Sequence, residues 1–415
     1  MDPMRDVRSV AIGLYVAGGS ADEAPEALGS THFLEHLLFK RTRRRSGAAI
    51  ARMTDKLGGD CDAYTTKEWV AFHARTTAER LEDALELLLD LTEAPVFSAD
   101  DVEVEREVIL EEMAEAHDVP EDRLHDTFLA ALWKGHPLGE PILGTEETVR
   151  ALSRRRLVER FREIVRPERM VFVAVGAFEP EALLRRLEAG RKRRHPRALG
   201  SAAVPRPANG NPRVTRCAFH LSRPDLTQAH VLVGSPALPY AHRLVPAASL
   251  ASTVLGGGVS SRLWRDVRER RGLAYHVGTA LSLHREAGVS LIEAATAPKN
   301  LARLLRAAGR IVRRLREDGI TRAELTRAKY QIRAEVALAL ESTASRRESA
   351  ARSWFYRGRP YEADEYLADI EAVTPEQLQE SIDLLFGATA PIGLGIAGPP
   401  LTGPTVEELA GELAA

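Results

Sequence analysis

The sequence predicts an α+β fold built from two similar half-domains, each an antiparallel β-sheet with helices packed on one face. The chain has 415 residues, which is more than one typical domain. A stretch at 191–213 combines basic residues with prolines, glycine and asparagine, which is the chemistry of a linker. The segments on either side of it repeat one coarse order of elements. We therefore expect a half-domain at 1–190, the linker, and a second half-domain at 214–415.

Each half is expected to begin and end with a strand. Apolar, β-branched runs predict the strands, and longer stretches with apolar residues at helical spacing predict the later helices. The predicted entry strands are 10–16 and 229–234, the helices include 78–91 and 325–340, and the closing strands are 170–176 and 392–398.

The most informative motif is His32-Phe33-Leu34-Glu35-His36. In a helix, residues i and i+4 lie one turn apart and i+3 lies beside them. His32 and His36 can then bind one metal ion while Glu35 points to the same place. This H-x-x-E-H order is the inverted zinc-peptidase signature, with two histidine ligands and a glutamate as general base. The simpler alternative is a helix that carries two histidines by chance.

A zinc site needs a third protein ligand. Ser98, followed three residues later by an acid, predicts the capped start of a helix that apolar residues at helical spacing continue. Glu105 and Glu112 would share one face of this helix, about 10 Å apart along its axis. Taken alone, each of them, like Glu107 and Glu111, is more simply a solvated surface acid.

The composition is that of an ordinary globular protein, with 44% hydrophobic residues and a net charge of −2. Basic runs at 41–45 and 191–197 favour solvated loops over nucleic-acid binding, because there is no net positive charge and no interleaved aromatic residue. Cys61 and Cys217 are too few for a disulfide framework. No apolar run has the length of a membrane span, and the first residues do not form a signal peptide. We expect a cytoplasmic protein that binds neither nucleic acid nor membrane.

The motif and its surroundings resemble the M16 (pitrilysin-type) zinc metallopeptidases, most closely their short-chain branch, which includes the mitochondrial processing peptidase and its bacterial relatives. The matching segments are 29–40 and the Glu-Arg-Glu-Val-Ile-Leu-Glu-Glu run at 105–112. The resemblance implies Zn²⁺ bound by three side chains, with one general base and one auxiliary carboxylate in the active site. The three zinc ligands would be His32, His36 and Glu112. Glu35 would be the general base and Glu105 the auxiliary carboxylate.

The segment 58–65 resembles a family strand that forms a sheet edge beside the zinc and pairs with the substrate as an added strand. An exposed edge tolerates many peptide sequences, because it offers unpaired backbone groups. The resemblance thus implies substrate binding by Asp62, Ala63 and Tyr64. Asp62 replaces the usual asparagine, which removes an amide donor and adds a negative charge.

A glycine triplet at 256–258 and the run that follows it to 275 resemble the second signature of the family. The resemblance implies that Arg268 and Tyr275 complete the active site and bind substrate. Both side chains are suitable donors to the oxyanion of a tetrahedral intermediate. Spacing alone does not distinguish Arg268 from the other arginines of the segment. Segments 136–139 and 142–145 also match the family and are expected to shape the fold.

In the family, pairs of such half-domains close as a clamshell around a chamber. The resemblance therefore implies a zinc-dependent endopeptidase that hydrolyses peptides, or processes a precursor peptide, inside a closed chamber. The alternative is a non-catalytic partner or scaffold subunit of an M16-type heterodimer. Such subunits normally lose part of the motif, whereas this chain keeps the three ligands, the base, the auxiliary carboxylate and the Arg/Tyr pair. Because the chain carries both the zinc set and the Arg/Tyr pair, we expect a homodimer; the alternative is a heterodimer with an M16 paralogue.

The family normally begins with a further strand that has no counterpart before Arg8. We expect either that the natural start lies upstream of Met1 or that this edge strand is missing.

Overall fold

The computed structural model describes residues 1–194, 210–387 and 393–414. The first half contains β1 (Asp2–Pro3), β2 (Ser9–Ala17), β3 (Cys61–Thr65), β4 (Trp69–Thr77) and β5 (Met170–Gly176). Its helices are α1 (Ser30–Leu38), α2 (Gly47–Leu57), α3 (Leu81–Glu93), α4 (Ala99–Asp118), α5 (Pro120–Leu132), α6 (Glu146–Ala151), α7 (Arg154–Ile164) and α8 (Pro180–Arg194).

The second half contains β6 (Ala218–Ser222), β7 (Ala229–Ala237), β8 (Ala274–Leu283), β9 (Gly288–Thr296) and β10 (Gly393–Gly398). Its helices are α9 (Val245–Gly256), α10 (Leu301–Asp318), α11 (Arg322–Glu341), α12 (Thr343–Arg357), α13 (Ala363–Ala372), α14 (Pro375–Phe386) and α15 (Val406–Ala414), and a π-helix, Trp264–Arg270, lies between α9 and β8. The predicted α+β class with two similar halves is confirmed.

Both sheets have the same strand order. The first runs β1-β5-β2-β4-β3 and the second β6-β10-β7-β9-β8. All neighbours are antiparallel except one edge pair in each sheet, where β1 runs parallel to β5 and β6 runs parallel to β10. A parallel pair needs a long crossover connection, and the helices of each half supply it before the closing strand. The expected antiparallel sheets therefore each contain one parallel pair at an edge.

The described residues pack as two compact units, and each unit contains one helix from the other half of the sequence: α12 lies in the first unit and α5 in the second. The first unit comprises 1–114, 140–194 and 338–361, and the second comprises 115–139, 210–337 and 362–414 within the described residues. As a result, α12 packs on β2 and β5 of the first sheet, and α5 packs on β7 and β10 of the second. The prediction placed helices on one face of each sheet, and the structure adds one helix on the opposite face of each.

The sheet face against which α12 packs is apolar, so it has to be shielded from water. Eight of the nine residues of β2 are buried, whereas a strand with one solvated face alternates. On this face Tyr15 and Trp69 pack against Phe355 of α12. In the second unit, Phe128 of α5 packs on the backbone of Gly234, where an added Cβ would lie 2.5 Å from its ring.

Several smaller expectations can be compared with the structure. The predicted linker at 191–213 falls mostly outside the described residues, so the half-domain boundaries stay predictions. In the basic run at 41–45, Arg41 pairs with Asp101 and Arg45 with Asp90, which fits a structural role; the run at 191–197 continues beyond the described part. No helix in the described ranges combines the length and the apolarity that crossing a membrane requires.

Candidate metal centre

The helix that carries the H-x-x-E-H motif, α1, is held at its start by a buried acid. Gly29 precedes it with a left-handed backbone, at φ +84°. The Glu23 carboxylate accepts the backbone N–H groups of Gly29 at 2.7 Å and Thr31 at 2.6 Å. These are groups that a helix start leaves unpaired, and the helix dipole favours negative charge there. Burial, the largest influence, raises the pKa of Glu23.

A close approach of two loops fixes where α1 begins. A Cβ at Gly29 would lie 2.4 Å from the carbonyl oxygen of Leu143, and a Cβ at Gly144 would lie 2.5 Å from that of Leu28. Thr148, within the capping box of α6, donates its hydroxyl to the same Leu28 oxygen. The segment 142–145 thus shapes the fold around the motif.

The structure brings the three predicted metal ligands together. His32 Nε2 lies 3.7 Å from Glu112 Oε1, and His36 Nε2 lies 3.4 Å from Glu112 Oε2. Four tetrahedral ligands at 2.0–2.1 Å from a zinc ion are about 3.4 Å from one another. These spacings therefore fit a zinc ion. His32 Nδ1 is buried and has no hydrogen-bond partner among the described residues.

The surroundings of the two histidines shift their pKa values in opposite directions. Burial lowers the pKa of His32 to about 4, against the attraction of Glu112. Burial also acts to lower the pKa of His36, but its contacts with Glu105 and Glu112 outweigh burial and raise that pKa to about 9. Metal binding at neutral pH is therefore coupled to the loss of a proton from His36.

Glu105 lies behind His36 and is almost fully buried, with 1% of its surface exposed. Its Oε2 is 3.2 Å from His36 Nδ1, and its Oε1 is 2.5 Å from Lys40 Nζ. Burial, the largest influence, raises the pKa of Glu105, but its contacts with His36 and Lys40 outweigh burial and leave the pKa lowered. A carboxylate on the outer nitrogen of a ligating histidine fixes the orientation of the ring.

Glu35 stands beside the ligand group without belonging to it. The hydroxyl of Thr65, the last residue of β3, donates to Glu35 Oε2. Burial is the largest influence on Glu35 and raises its pKa, while the Thr65 hydrogen bond and His36 act in the opposite direction. The arrangement gives a carboxylate whose proton affinity is increased and whose position is fixed by a strand.

The strand β3 forms one edge of the first sheet, since its described neighbour in the sheet is β4 alone. Asp62 is exposed and accepts the backbone N–H of Ala63 at 2.8 Å. Ala63 points into the helix-side core, whereas Tyr64 packs on the other face beside His73. Of the three side chains of β3 that were predicted to bind substrate, only Asp62 is exposed, so the backbone is the main surface that this edge offers.

Arg268 and Tyr275 lie together in the second unit. The Arg268 guanidinium carbon is 4.5 Å from the centre of the Tyr275 ring. Both residues line a cavity of about 380 Å³, together with Gln228 and Asn300 among others. Tyr275 is 78% exposed. The metal-ligand group belongs to the first unit, whereas Arg268 and Tyr275 belong to the second.

The second half repeats the fold, and its described residues contain no second metal-ligand group. The helix that follows its entry strand is α9, as α1 follows β2 in the first half. The sequence of α9, Val245–Gly256, contains no histidine, cysteine, aspartate or glutamate. Within the described part of the chain, His32, His36 and Glu112 form the single group with metal-ligand spacing.

Sequence reasoning gave no role to three side chains that support the site, Glu23, Lys40 and Thr65. Lys40 lies just beyond the end of α1 and contacts Glu105 of α4, a pairing that its spacing from the motif does not reveal. Glu23 accepts hydrogen bonds from the start of α1, and Thr65 donates one to Glu35, 30 residues away. No local sequence pattern predicts either contact.

Two histidines of α1 and a glutamate of α4 lie at metal-ligand spacing, and a further carboxylate lies on α1 between the histidines. This arrangement is typical of zinc metallopeptidases. Two family models match this chain. The model described as Insulinase (Peptidase family M16) matches residues 4–146, and the model described as Peptidase M16 inactive domain matches residues 151–332. The chain belongs to peptidase family M16, as the sequence predicted.

Similar proteins span nearly the whole chain. An uncharacterized zinc protease of Mycobacterium tuberculosis (strain ATCC 25618 / H37Rv) is 39% identical over 90% of this chain and 84% of its own length. The uncharacterized zinc protease YmxG of Bacillus subtilis (strain 168) is 32% identical over 92% of this chain and 91% of its own. The names of these relatives agree with the prediction of zinc.

Solved structures show the same fold at low sequence identity. A peptidase M16 inactive domain from Pseudomonas fluorescens has a TM-score of 0.87 and 19% identity, and covers 97% of this chain and 95% of that one. A protease from Helicobacter pylori has a TM-score of 0.85 and 19% identity, with 95% of both chains covered.

Proposed function

We propose that this protein is a zinc-dependent endopeptidase that cleaves peptides. The observation that carries the proposal is the convergence of His32, His36 and Glu112 at zinc-ligand spacing, with Glu35 held beside them. His32 and His36 would hold the ion through Nε2, the nitrogens that face Glu112. When bound, zinc would supply Lewis-acid chemistry and lower the pKa of a bound water molecule.

Glu35 is the general base in this proposal. Its raised pKa makes it a better proton acceptor near neutral pH than an exposed glutamate. It takes the proton of the attacking water and then gives it to the amine that leaves. The Thr65 hydroxyl holds one carboxylate oxygen in place, so the other oxygen is free to face the water. Glu105 keeps the His36 ring oriented.

The substrate lies along β3 as an added strand, which fits a peptidase that tolerates many sequences. Asp62 adds a negative charge at this edge, so basic peptides are expected to bind better than acidic ones. Arg268 and Tyr275 donate hydrogen bonds to the oxyanion that forms as the carbonyl is attacked. In a dimer, one chain would supply this pair to the ligand group of its partner, and the substrate would be enclosed between the two.

The second candidate is a non-catalytic subunit of a heterodimer. The match of residues 151–332 to a model named inactive domain is the observation that favours it. The described residues of that half contain no group with metal-ligand spacing, whereas the first half contains His32, His36 and Glu112 at such spacing. The complete set favours an enzyme.

Metal analysis and peptide digestion test the proposal together. The purified protein should contain about one zinc per chain and cleave a mixture of unstructured peptides. Glu35→Gln should retain the zinc and lose about 10²–10⁴-fold in kcat, which is the usual contribution of a general base. Full activity in Glu35→Gln would exclude this mechanism, and a wild-type protein without zinc would favour the non-catalytic subunit.

A further inference from the structure

Arg268 is the arginine of its segment that stacks on aromatic rings instead of pairing with an acid. Its guanidinium carbon lies 4.0 Å from the centre of the Trp264 ring and 4.5 Å from that of Tyr275. Three of the four other arginines between 262 and 271 are paired with acids, Arg262 with Glu324 and Arg270 and Arg271 with Asp266; the exception within the described part of the chain is Arg265. Among the described residues, no carboxylate pairs with Arg268.

Two irregularities of the backbone place this group. Trp264 and Arg268 lie in a π-helix, Trp264–Arg270, which is anchored by the buried Val267. Helices of this kind are rare in proteins, and those that occur are often found at functional sites. Tyr275 falls at a register shift in which Ala274 and His276, but not Tyr275, pair with β9. A bulge of this kind redirects a side chain, and Tyr275 is accordingly exposed.

We propose that Trp264 is a positioning residue that holds the Arg268 guanidinium for the substrate. Stacking on a π-face fixes the plane of the guanidinium and leaves the N–H groups at its edge free to donate. An ion pair with an acid would occupy those donors. The flexible arginine side chain therefore loses less entropy when it binds a carbonyl oxygen. This inference rests on the proposed peptidase function, since it gives Trp264 a role in the same site.

Two substitutions at position 264 separate the aromatic face from side-chain bulk. Trp264→Phe keeps a ring, so kcat/KM for peptide cleavage should stay within about twofold of wild type. Trp264→Leu keeps apolar bulk without a ring and should lose about tenfold, the size of a typical cation–π interaction. In an Arg268→Met background the same Trp264→Leu change should cost no more than about twofold, because Trp264 acts through Arg268.

A matched control is the exposed pair on α11, in which Arg333 lies 5.7 Å from the Tyr330 ring. Tyr330→Leu should leave kcat/KM unchanged. Zinc content and the melting temperature are measured for every variant, so that loss of metal or of fold is recognised separately.

A second readout does not depend on cleavage. Phenylglyoxal modifies accessible guanidinium groups, and mass spectrometry locates the products. Modification of Arg268 should be faster in Trp264→Leu than in wild type or Trp264→Phe, with no change at Arg333. If the wild-type protein cleaves no peptide but this pattern holds, the proposed function fails while the stacking stands. Equal kcat/KM for the leucine and phenylalanine variants, or additive effects with Arg268→Met, would overturn the positioning role.

Discussion

The register of α4 decides which of its glutamates can meet the histidines of α1. Glu112 lies 3.4 Å from His36 and 3.7 Å from His32, whereas its neighbour Glu111 is exposed. We predict that Glu112→Gln weakens zinc binding by more than the 10- to about 100-fold that loss of an outer hydrogen-bonding partner costs. Glu111→Gln should be nearly silent. Competition with a chelator measures both, and loss of zinc from the Glu111 variant would show a wrong ligand assignment.

Glu105 is predicted to affect turnover more than metal content. It touches His36 and Lys40 and does not belong to the ligand group. Glu105→Gln should lower kcat by about 10- to 100-fold while close to one zinc per chain remains. Glu107→Gln, an exposed acid of the same helix, is the control. A Glu105 variant without zinc would mean that this carboxylate is itself a ligand.

For single residues, the sequence predicts site members that lie close to one another along the chain. His32, Glu35 and His36 follow from the period of a helix, and the family pattern adds Glu112, at a distance that no periodicity covers. The contacts of Lys40 and Thr65 depend on how β3 and α4 pack around α1. Those contacts are set by tertiary packing, so the side chains were visible in the sequence and their roles were not.

At the scale of elements, the start of α11 shows how one acid can join two segments. Glu324 accepts two hydrogen bonds from Arg262, both at 2.8 Å, and one from the backbone N–H of Thr321 at 2.9 Å. The Arg262 hydrogen bond is the largest influence, and the pKa of Glu324 falls from 4.5 to about 2. A lowered pKa in the folded state means stability that is present above about pH 4.5 and is lost as the pH falls toward 2.

Glu324→Gln is therefore predicted to destabilise the protein at neutral pH by about 1.5–3 kcal/mol, the usual value of hydrogen bonds to a charged group. Urea unfolding at pH 7, 5 and 3 measures it, and the gap from wild type should narrow at pH 3. Glu159→Gln, in a solvent-exposed ion pair with Arg155, is the control and should change little. A gap that stays constant with pH would contradict the charged contact.

The strands and helices whose bounds were predicted have periodic patterns, and their observed ends differ by only a few residues. The observed β2 is Ser9–Ala17 and the observed α11 is Arg322–Glu341, close to the expected 10–16 and 325–340. The continuous apolar run of β2 also signals burial on both faces. What the sequence does not show is which helix provides the cover, since Tyr15 meets Arg347 across 332 residues.

At the scale of the whole molecule, two halves with one topology have diverged in chemistry. The first keeps a metal-ligand group and the second keeps an Arg/Tyr pair. The repeated order of strands and helices could be predicted from the sequence. The exchange of α5 and α12 between the compact units could not, because it joins segments that are far apart along the chain and no pattern in either helix names its partner sheet.

The last prediction concerns assembly, and it follows from this division of chemistry. We propose a homodimer in which each chain lends Arg268 and Tyr275 to the ligand group of its partner. Mixing Glu35→Gln chains with Tyr275→Phe chains, each weak alone, should then restore activity, because the mixed dimer has one site with both residues intact. After full exchange, half the dimers are mixed and one of their two sites works, so about a quarter of wild-type activity is expected. Glu35→Gln mixed with His32→Ala should recover nothing, since both changes damage the ligand half. No recovery in the first mixture after verified exchange would show that the pair acts within its own chain or belongs with a different partner protein.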